Sequence, residues 1–219
     1  MLTLYSYFRS SAAFRVRIAL AIKELDYETV AIHLLKGGGQ QHLPMYRSLN
    51  PMGLVPALKI EEGDSEASVL TQSLAILEYL EERYPQPALL PQDAYARAEV
   101  RSLALTVACD IHPLNNLSVT EYLKRELKAS DEAKQAWYKH WIDRGFAAIE
   151  QRLAGFDAQR FCYGDQLTLA DICLIPQVYN ARRFGCEPER YRHITSIYEH
   201  CMSLPAFQHA APERQPDAA

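Results

Sequence analysis

The sequence predicts an α/β domain in the order β-α-β-α-β-β-α over residues 1–84, a connection over residues 85–93, and an all-α domain over residues 94–219. Three observations carry this. Thr3–Leu25 (TLYSYFRSSAAFRVRIALAIKEL) passes from strand-like to helix-like patterning across a single tight turn. Pro85–Asp93 (PQPALLPQD) holds three prolines, a composition suited to joining two domains. Beyond it the apolar residues recur at helical spacing and no strand alternation stands out.

In the first strand, Leu2, Leu4 and Tyr5 have an apolar and aromatic bias, and Phe14, Ile18, Ile22 and Leu25 then mark one face of a helix. Ser10 and Ser11 lie at its start, where hydroxyls cap unpaired N–H groups and the helix dipole is positive. The pair therefore reads either as a helix cap or as a corner for an anion. Tyr27–Leu34 alternates as a second strand, and Lys36–Gln41 (KGGGQQ) is a flexible loop that matches no nucleotide-binding glycine pattern. Pro44–Leu49 is a short helix before the Asn50–Gly53 turn. The strand Leu54–Ile60 contains Pro56, which removes a ladder donor and suggests that Val55-Pro56 is open to a partner other than a strand, such as an added peptide backbone. Glu61–Glu66 is a polar turn, Ala67–Leu70 a fourth strand, and Thr71-Gln72-Ser73 opens a helix with Leu74, Ile76, Leu77 and Leu80, stopped by Pro85.

This order is that of a thioredoxin-like domain. The turn before its first helix carries Ser10-Ser11-Ala12-Ala13 in place of CxxC, which excludes disulfide exchange by the domain's own thiols there. In the second half, Tyr95–Lys128 is a helical region interrupted near Pro113, followed by helices over Asp131–Leu153 and Thr168–Phe184. Thr168 and Asp171 form a capping box, with Leu167 and Ile172 as its hydrophobic staple. Pro212–Ala219 is expected to be loose.

At 219 residues, with 48% hydrophobic and 23% charged residues, the chain is of the soluble globular type and long enough for two cores. A net charge of -4 gives no footprint for nucleic acid. The start lacks the pattern of a signal peptide and no stretch is apolar enough for a membrane helix, so a cytoplasmic location is expected. Cys109, Cys162, Cys173, Cys186 and Cys201 form no CxxC pair and read as small buried apolar residues in a reducing compartment. The seven histidines show neither HExxH nor metal-like spacing with the cysteines, so no metal site is expected.

Four separated blocks, YSYFRSS with RVRIAL, LNPMGLVPALKI, TQSLAILEYLEE and LTLADICLIPQV, together resemble a cytosolic glutathione transferase of the zeta class, the group that includes maleylacetoacetate isomerases. The resemblance runs from about Leu2 to Gln215. It implies the cytosolic glutathione transferase fold, a homodimer, and a glutathione site between a thioredoxin-like and an all-α domain. Matched residue by residue, Ser10 and Ser11 take the active-site serine positions, with Ala12 and Arg15 counted among the cofactor-binding residues of the same helix. Gln72 and Ser73 take the pair that holds the γ-glutamyl end, Val55 before Pro56 the residue whose backbone pairs with the cysteinyl part, and Gln41 a loop contact. His112, Asn115, Asn116 and Ser118 fall in the stretch that closes the site from the second domain or the dimer partner. The chain departs from the family in having Ala12-Ala13 where Cys-Ser is usual, which removes a protein thiol, and His112 where glutamine is common.

The chemistry so implied is addition of the glutathione thiolate to the cis double bond of a maleyl diketo acid, rotation about the resulting single bond, and elimination, with glutathione regenerated as a cofactor. A free thiol has a pKa of about 8.5, and lowering it by roughly two units takes about 2.7 kcal/mol, within reach of hydroxyl donors and a helix N-terminus. A substrate with terminal carboxylates calls for arginines, first Arg9 beside the turn, then Arg182 or Arg183. Arg15 and Arg17 read more readily as helix-surface or salt-bridge residues. His112 is either a proton carrier or a packed or capping residue, and Tyr5 and Tyr7 are formal rivals to the serines that read more readily as core. The expected activity is isomerisation of maleylacetoacetate in tyrosine and phenylalanine breakdown. Asp110–Pro113 resembles instead the maleylpyruvate isomerases of gentisate-type breakdown, while Asn116–Ser118 resembles the maleylacetoacetate type. Transferase or dehalogenase chemistry on small α-haloacids is a third reading. A non-catalytic binding module is a fourth, opposed by the joint retention of Ser10, Ser11, Val55-Pro56 and Gln72-Ser73.

Overall fold

The computed structural model describes residues 1–63, 66–156 and 160–218; of the predicted Glu61–Glu66 turn, Asp64 and Ser65 lie outside the described residues. β1 (Leu2–Ser6) occupies an interior place in a four-stranded sheet of order β2-β1-β3-β4, with β2 at Glu28–Ala31, β3 at Ala57–Ile60 and β4 at Ser68–Thr71. β1 runs parallel to β2, which demands a crossover, and α1 (Ser11–Ile22) provides it. The β1–β3 and β3–β4 pairs are antiparallel. β2 and β3 are shorter than the alternation predicts. In β3 the ladder begins at Ala57, so Pro56 stands just outside it, where a missing N–H costs no ladder bond, and the Val55–Pro56 peptide is cis. α2 (Pro44–Leu49) and α3 (Ser73–Arg83) complete the α/β part.

By internal contacts the chain forms two units, Met1–Ala88 with the segment from Leu204 on, and Leu89–Ser203. In the first unit, Phe14, Ile18 and Leu20 of α1 and Ile76, Leu77 and Leu80 of α3 are buried, as are Leu4 and Leu58 of the sheet. A second cluster joins Tyr7, Phe8, Ile32, Tyr46, Val55 and Ala57, which gives Tyr7 a packing role. Lys23 at the end of α1 donates to the Glu81 carboxylate (3.0 Å) and to the carbonyls of Tyr84 and Pro87, supplying donors where the end of α3 leaves carbonyls open.

Three expectations need correction here. The all-α domain does not run through residues 94–219. Residues from Leu204 on return to the α/β unit, where α9 (Pro205–Ala210) packs on α1 and buries Phe207 completely. Of the segment expected to be loose, Ala219 lies outside the described residues and the rest is held: Pro212 is buried, the Gln215 amide donates to the His209 and Ala211 carbonyls, and the Asp217 carboxylate accepts the Phe8 N–H at 3.0 Å. Arg15 and Arg17 are not surface residues; they are 2% and 0% exposed. α1 is apolar around most of its circumference, with Ala13, Phe14, Val16, Ile18, Ala19 and Leu20 all buried, and such a helix carries its polar side chains inward with it.

The second unit holds α4 (Ala94–Leu105), a π-helical turn (Thr106–Ile111), a 3₁₀ turn (His112–Asn115), α5 (Leu117–Arg125), α6 (Asp131–Leu153), α7 (Leu169–Arg183) and α8 (Arg192–Met202). The bounds of α6 match the sequence reading. Gly145 lets Ile111 pack against α6, since an added Cβ would stand 2.2 Å from Ile111 Cδ1. α7 is buried along most of its length and opens on the predicted capping box: Asp171 accepts the Thr168 N–H at 2.8 Å and its hydroxyl at 3.0 Å, and also the Cys162 N–H at 2.6 Å. Four cysteines are buried, but Cys109 is exposed, because the π-helical turn buries Val107 and Ile111. Among the described residues no helix is long and apolar enough to cross a membrane.

Candidate functional site

The sheet register alone gathers the predicted residues of the α/β unit. Tyr5 pairs with Ala57 and Ala57 with Thr71, while Ser6 pairs with Ala31. The chain leaves β1 toward Arg9, Ser10 and Ser11, enters β3 from Val55-Pro56, leaves β4 into Gln72-Ser73 and leaves β2 into the loop that carries Gln41. All four segments lie at one end of the sheet.

Each is then placed by local chemistry. Ser10 is the N-cap of α1, its Oγ accepting the Ala13 N–H at 3.2 Å, so its hydroxyl hydrogen still has a direction to donate. Ser11 is the first helical residue and is 6% exposed, with the half-buried Ala12 after it. Gln72, the N-cap of α3, adopts φ +70°, a conformation costly for a residue with a side chain and held only where the surroundings impose it. Ser73 follows as the first residue of α3, and its Oγ accepts from Arg15 Nη1 at 3.2 Å. Arg15, expected to touch the cofactor, is thus buried behind Ser73 and joins the starts of α1 and α3. Arg9 is exposed, with its guanidinium 4.8 Å above the Phe8 ring.

Gln41 is 6% exposed and donates to the Leu34 carbonyl at 3.2 Å. Two glycines make room for it. A Cβ at Gly39 would fall 2.5 Å from Gln41 Nε2, and one at Gly53 would fall 2.9 Å from the Gln41 carbonyl oxygen. Both glycines have positive φ, and the KGGG run closes on the Gln41 side chain while the NPMG turn closes on its backbone carbonyl. The Oε1 of Gln41 is buried and has no hydrogen-bond partner among the described residues, a vacancy that suits a donor on a bound peptide-like ligand. Arg17, which the sequence reading left aside, donates to the Phe8 carbonyl (3.0 Å), Ser6 Oγ (3.1 Å) and the Ala210 carbonyl (2.9 Å), and so anchors the backbone just before the serine turn.

In the helical unit, His112 begins the 3₁₀ turn. Asn115 is 9% exposed and neither polar atom of its amide has a hydrogen-bond partner among the described residues. Asn116 is the N-cap of α5 and accepts both the N–H and the hydroxyl of Ser118 at 2.9 Å, so these two meet in a local cap. Arg182 pairs with Glu189 at 3.0 Å and lies over the Tyr198 ring; Arg183 lies over Phe184.

A family model for the glutathione S-transferase N-terminal domain matches residues 1–82, and one for the C-terminal domain matches residues 131–200. The chain is also 45% identical to the solved structure of a maleyl pyruvate isomerase, described as a bacterial glutathione S-transferase of the zeta class; the match covers 99% of this chain and 100% of that one at TM-score 0.92. The chain belongs to the zeta class of the glutathione S-transferase family. Two further relatives of this glutathione S-transferase carry related names. A probable maleylacetoacetate isomerase of Vibrio cholerae is 51% identical over 99% of this chain and 98% of its own length. The structure of a maleylacetoacetate isomerase from Anaeromyxobacter dehalogenans with glutathione bound in its active site is 46% identical at TM-score 0.90, covering 100% of this chain and 98% of that one.

The two domain models agree with the predicted fold class, a thioredoxin-like part followed by a helical one. Two features of the α/β site had escaped the sequence reading. The glycines around Gln41 were visible as KGGG and NPMG but carried no meaning until the fold brought them to one residue, Gly39 to its side chain and Gly53 to its backbone carbonyl. The strained Gln72 has no sequence signature at all, because a glutamine in a left-handed conformation is indistinguishable from any other.

Proposed function

We propose that this glutathione S-transferase is a glutathione-dependent cis-trans isomerase that converts maleylacetoacetate to fumarylacetoacetate. The observation that carries the proposal is the register-driven convergence of Ser10, Ser11, Gln41, Val55, Gln72 and Ser73 at one end of the sheet. Full-length similarity to isomerases supports the choice of reaction. The second reading, isomerisation of maleylpyruvate, is favoured by the 45% identity and 0.92 TM-score to a maleyl pyruvate isomerase.

Bound glutathione supplies the thiolate that adds to and later leaves the double bond. The residues of the chain have three tasks. Ser10 and Ser11, with the first turn of α1, hold negative charge on sulfur through hydroxyl donation and the helix dipole; about two pKa units of lowering corresponds to about 2.7 kcal/mol. Gln72 and Ser73, with Arg15 behind Ser73, hold the γ-glutamyl carboxylate at the start of α3, while Val55 and Gln41 engage the peptide backbone. The exposed Arg9 takes a substrate carboxylate. The active form is a cytosolic homodimer.

The test follows both candidate substrates by absorbance, with and without catalytic amounts of glutathione. The proposal requires turnover of maleylacetoacetate that exceeds the glutathione supplied and ceases in its absence. Turnover of maleylpyruvate alone would select the second reading, and turnover of neither would overturn both.

A further inference from the structure

The turn that carries Arg9 and Ser10 is clamped on both sides by a distant part of the chain. The Phe8 N–H, half-buried, donates to Asp217 Oδ2 at 3.0 Å, across a sequence separation of 209 residues. The Phe8 carbonyl accepts from Arg17 Nη2 at 3.0 Å, and the same guanidinium holds the Ala210 carbonyl through Nε at 2.9 Å. Both polar groups of one peptide-bearing residue are therefore tied, directly or through Arg17, to the segment that follows α9. Ala218 packs on the Tyr7, Phe8, Ile32, Tyr46, Val55 and Ala57 cluster, and Gln215 ties the segment back to His209 and Ala211. Beyond Phe8 the backbone closes at once, the Ser10 N–H donating to the Tyr7 carbonyl at 2.9 Å, and the Arg9 guanidinium rests on the Phe8 ring.

We infer that Asp217 is a positioning residue of the isomerase: through the Phe8 N–H it sets the orientation of Arg9 and the Ser10 cap, and so the grip on the substrate carboxylate and the donor to sulfur. The inference rests on the roles proposed above for Arg9 and Ser10. Its physical basis is that a partly buried N–H facing a carboxylate forms a charge-assisted bond stronger than a neutral one, and that losing the acceptor leaves the donor unsatisfied. Phe8 is the residue next to Arg9 in the turn, so loosening its N–H side loosens the backbone that carries Arg9, while Arg17 keeps its hold on the carbonyl side.

The test compares the full-length chain with Asp217→Ala and Asp217→Asn. Asparagine retains an acceptor oxygen of the same reach, so Asp217→Asn serves as the conservative rescue. Backbone hydrogen exchange of the Tyr7–Ser11 segment, measured without any ligand, is expected to quicken on the order of tenfold in Asp217→Ala and to stay near the parent rate in Asp217→Asn. Glutathione affinity by calorimetry and KM for the diketo acid should each worsen roughly three- to tenfold in the alanine variant, and both should recover with asparagine. Unchanged exchange at Phe8 in Asp217→Ala would overturn the clamp, and altered exchange with unaltered KM and glutathione affinity would overturn its positioning role. If the parent neither binds glutathione nor turns over substrate, the functional reading has failed, so the positioning role falls with it; the exchange result still decides the clamp separately.

Discussion

Arg17→Met is the sharpest test of how the fold supports the site. The side chain is fully buried and donates to Ser6 Oγ, the Phe8 carbonyl and the Ala210 carbonyl, at 2.9–3.1 Å. Methionine keeps much of the apolar stem but no donor. Each acceptor so orphaned costs about 1–3 kcal/mol, while relief of the guanidinium's desolvation returns part of the sum, leaving a net loss on the order of 3–5 kcal/mol. For a chain of this size each kcal/mol lowers the melting temperature by about 2–4 °C, so the midpoint should fall by roughly 10 °C. Arg17→Lys should recover little, because one ammonium cannot reproduce a fork that reaches three acceptors on β1, the turn and α9. The assay is thermal unfolding followed by circular dichroism, with urea unfolding to confirm that the midpoint moves while the slope stays fixed. A methionine variant that melts within about 2 °C of the parent would show that these bonds contribute nothing net.

The other predictions are narrower. Ser11→Ala should raise the pKa of the bound glutathione thiol by about one unit, which is about 1.4 kcal/mol; a pH titration of thiolate absorbance that does not move would remove Ser11 as a donor. Arg9→Ala should raise KM for the diketo acid about tenfold with glutathione affinity retained, and an unchanged KM would assign the carboxylate grip elsewhere. At Glu150, burial acts to raise the carboxyl pKa, but the N–H groups of His193 and Ile194 and the His193 ring outweigh it and hold the pKa below the usual 4.5. A pKa depressed by folding stabilises the protein above the unfolded value, and that contribution is lost as pH falls through the folded one. The gap in urea midpoint between the parent and Glu150→Gln should therefore be widest near neutrality and shrink below about pH 4.5; a gap independent of pH would refute the assignment.

What was legible in the sequence was local. The Ser10 cap, the helix Pro44–Leu49, the long helix Asp131–Leu153 and the Thr168–Asp171 capping box each depend on groups a few residues apart, so their chemistry is written in adjacent letters. The order of strands and helices followed from the same patterns, and the four motif blocks pointed to the family. Tertiary structure decided the rest, because the groups that satisfy one another lie far apart in the chain. Arg17 meets Ala210 across 193 residues and Phe8 meets Asp217 across 209, which is why a helix of surface-like arginines proved buried and a segment expected to be loose proved held. Gly39 and Gly53 acquired a purpose only when both were folded against Gln41, and Gln72 took its strained backbone only at the junction of β4 and α3. Capping is a negotiation between neighbours; burying a guanidinium or shaping a cradle requires partners that only the closed fold brings within hydrogen-bonding distance.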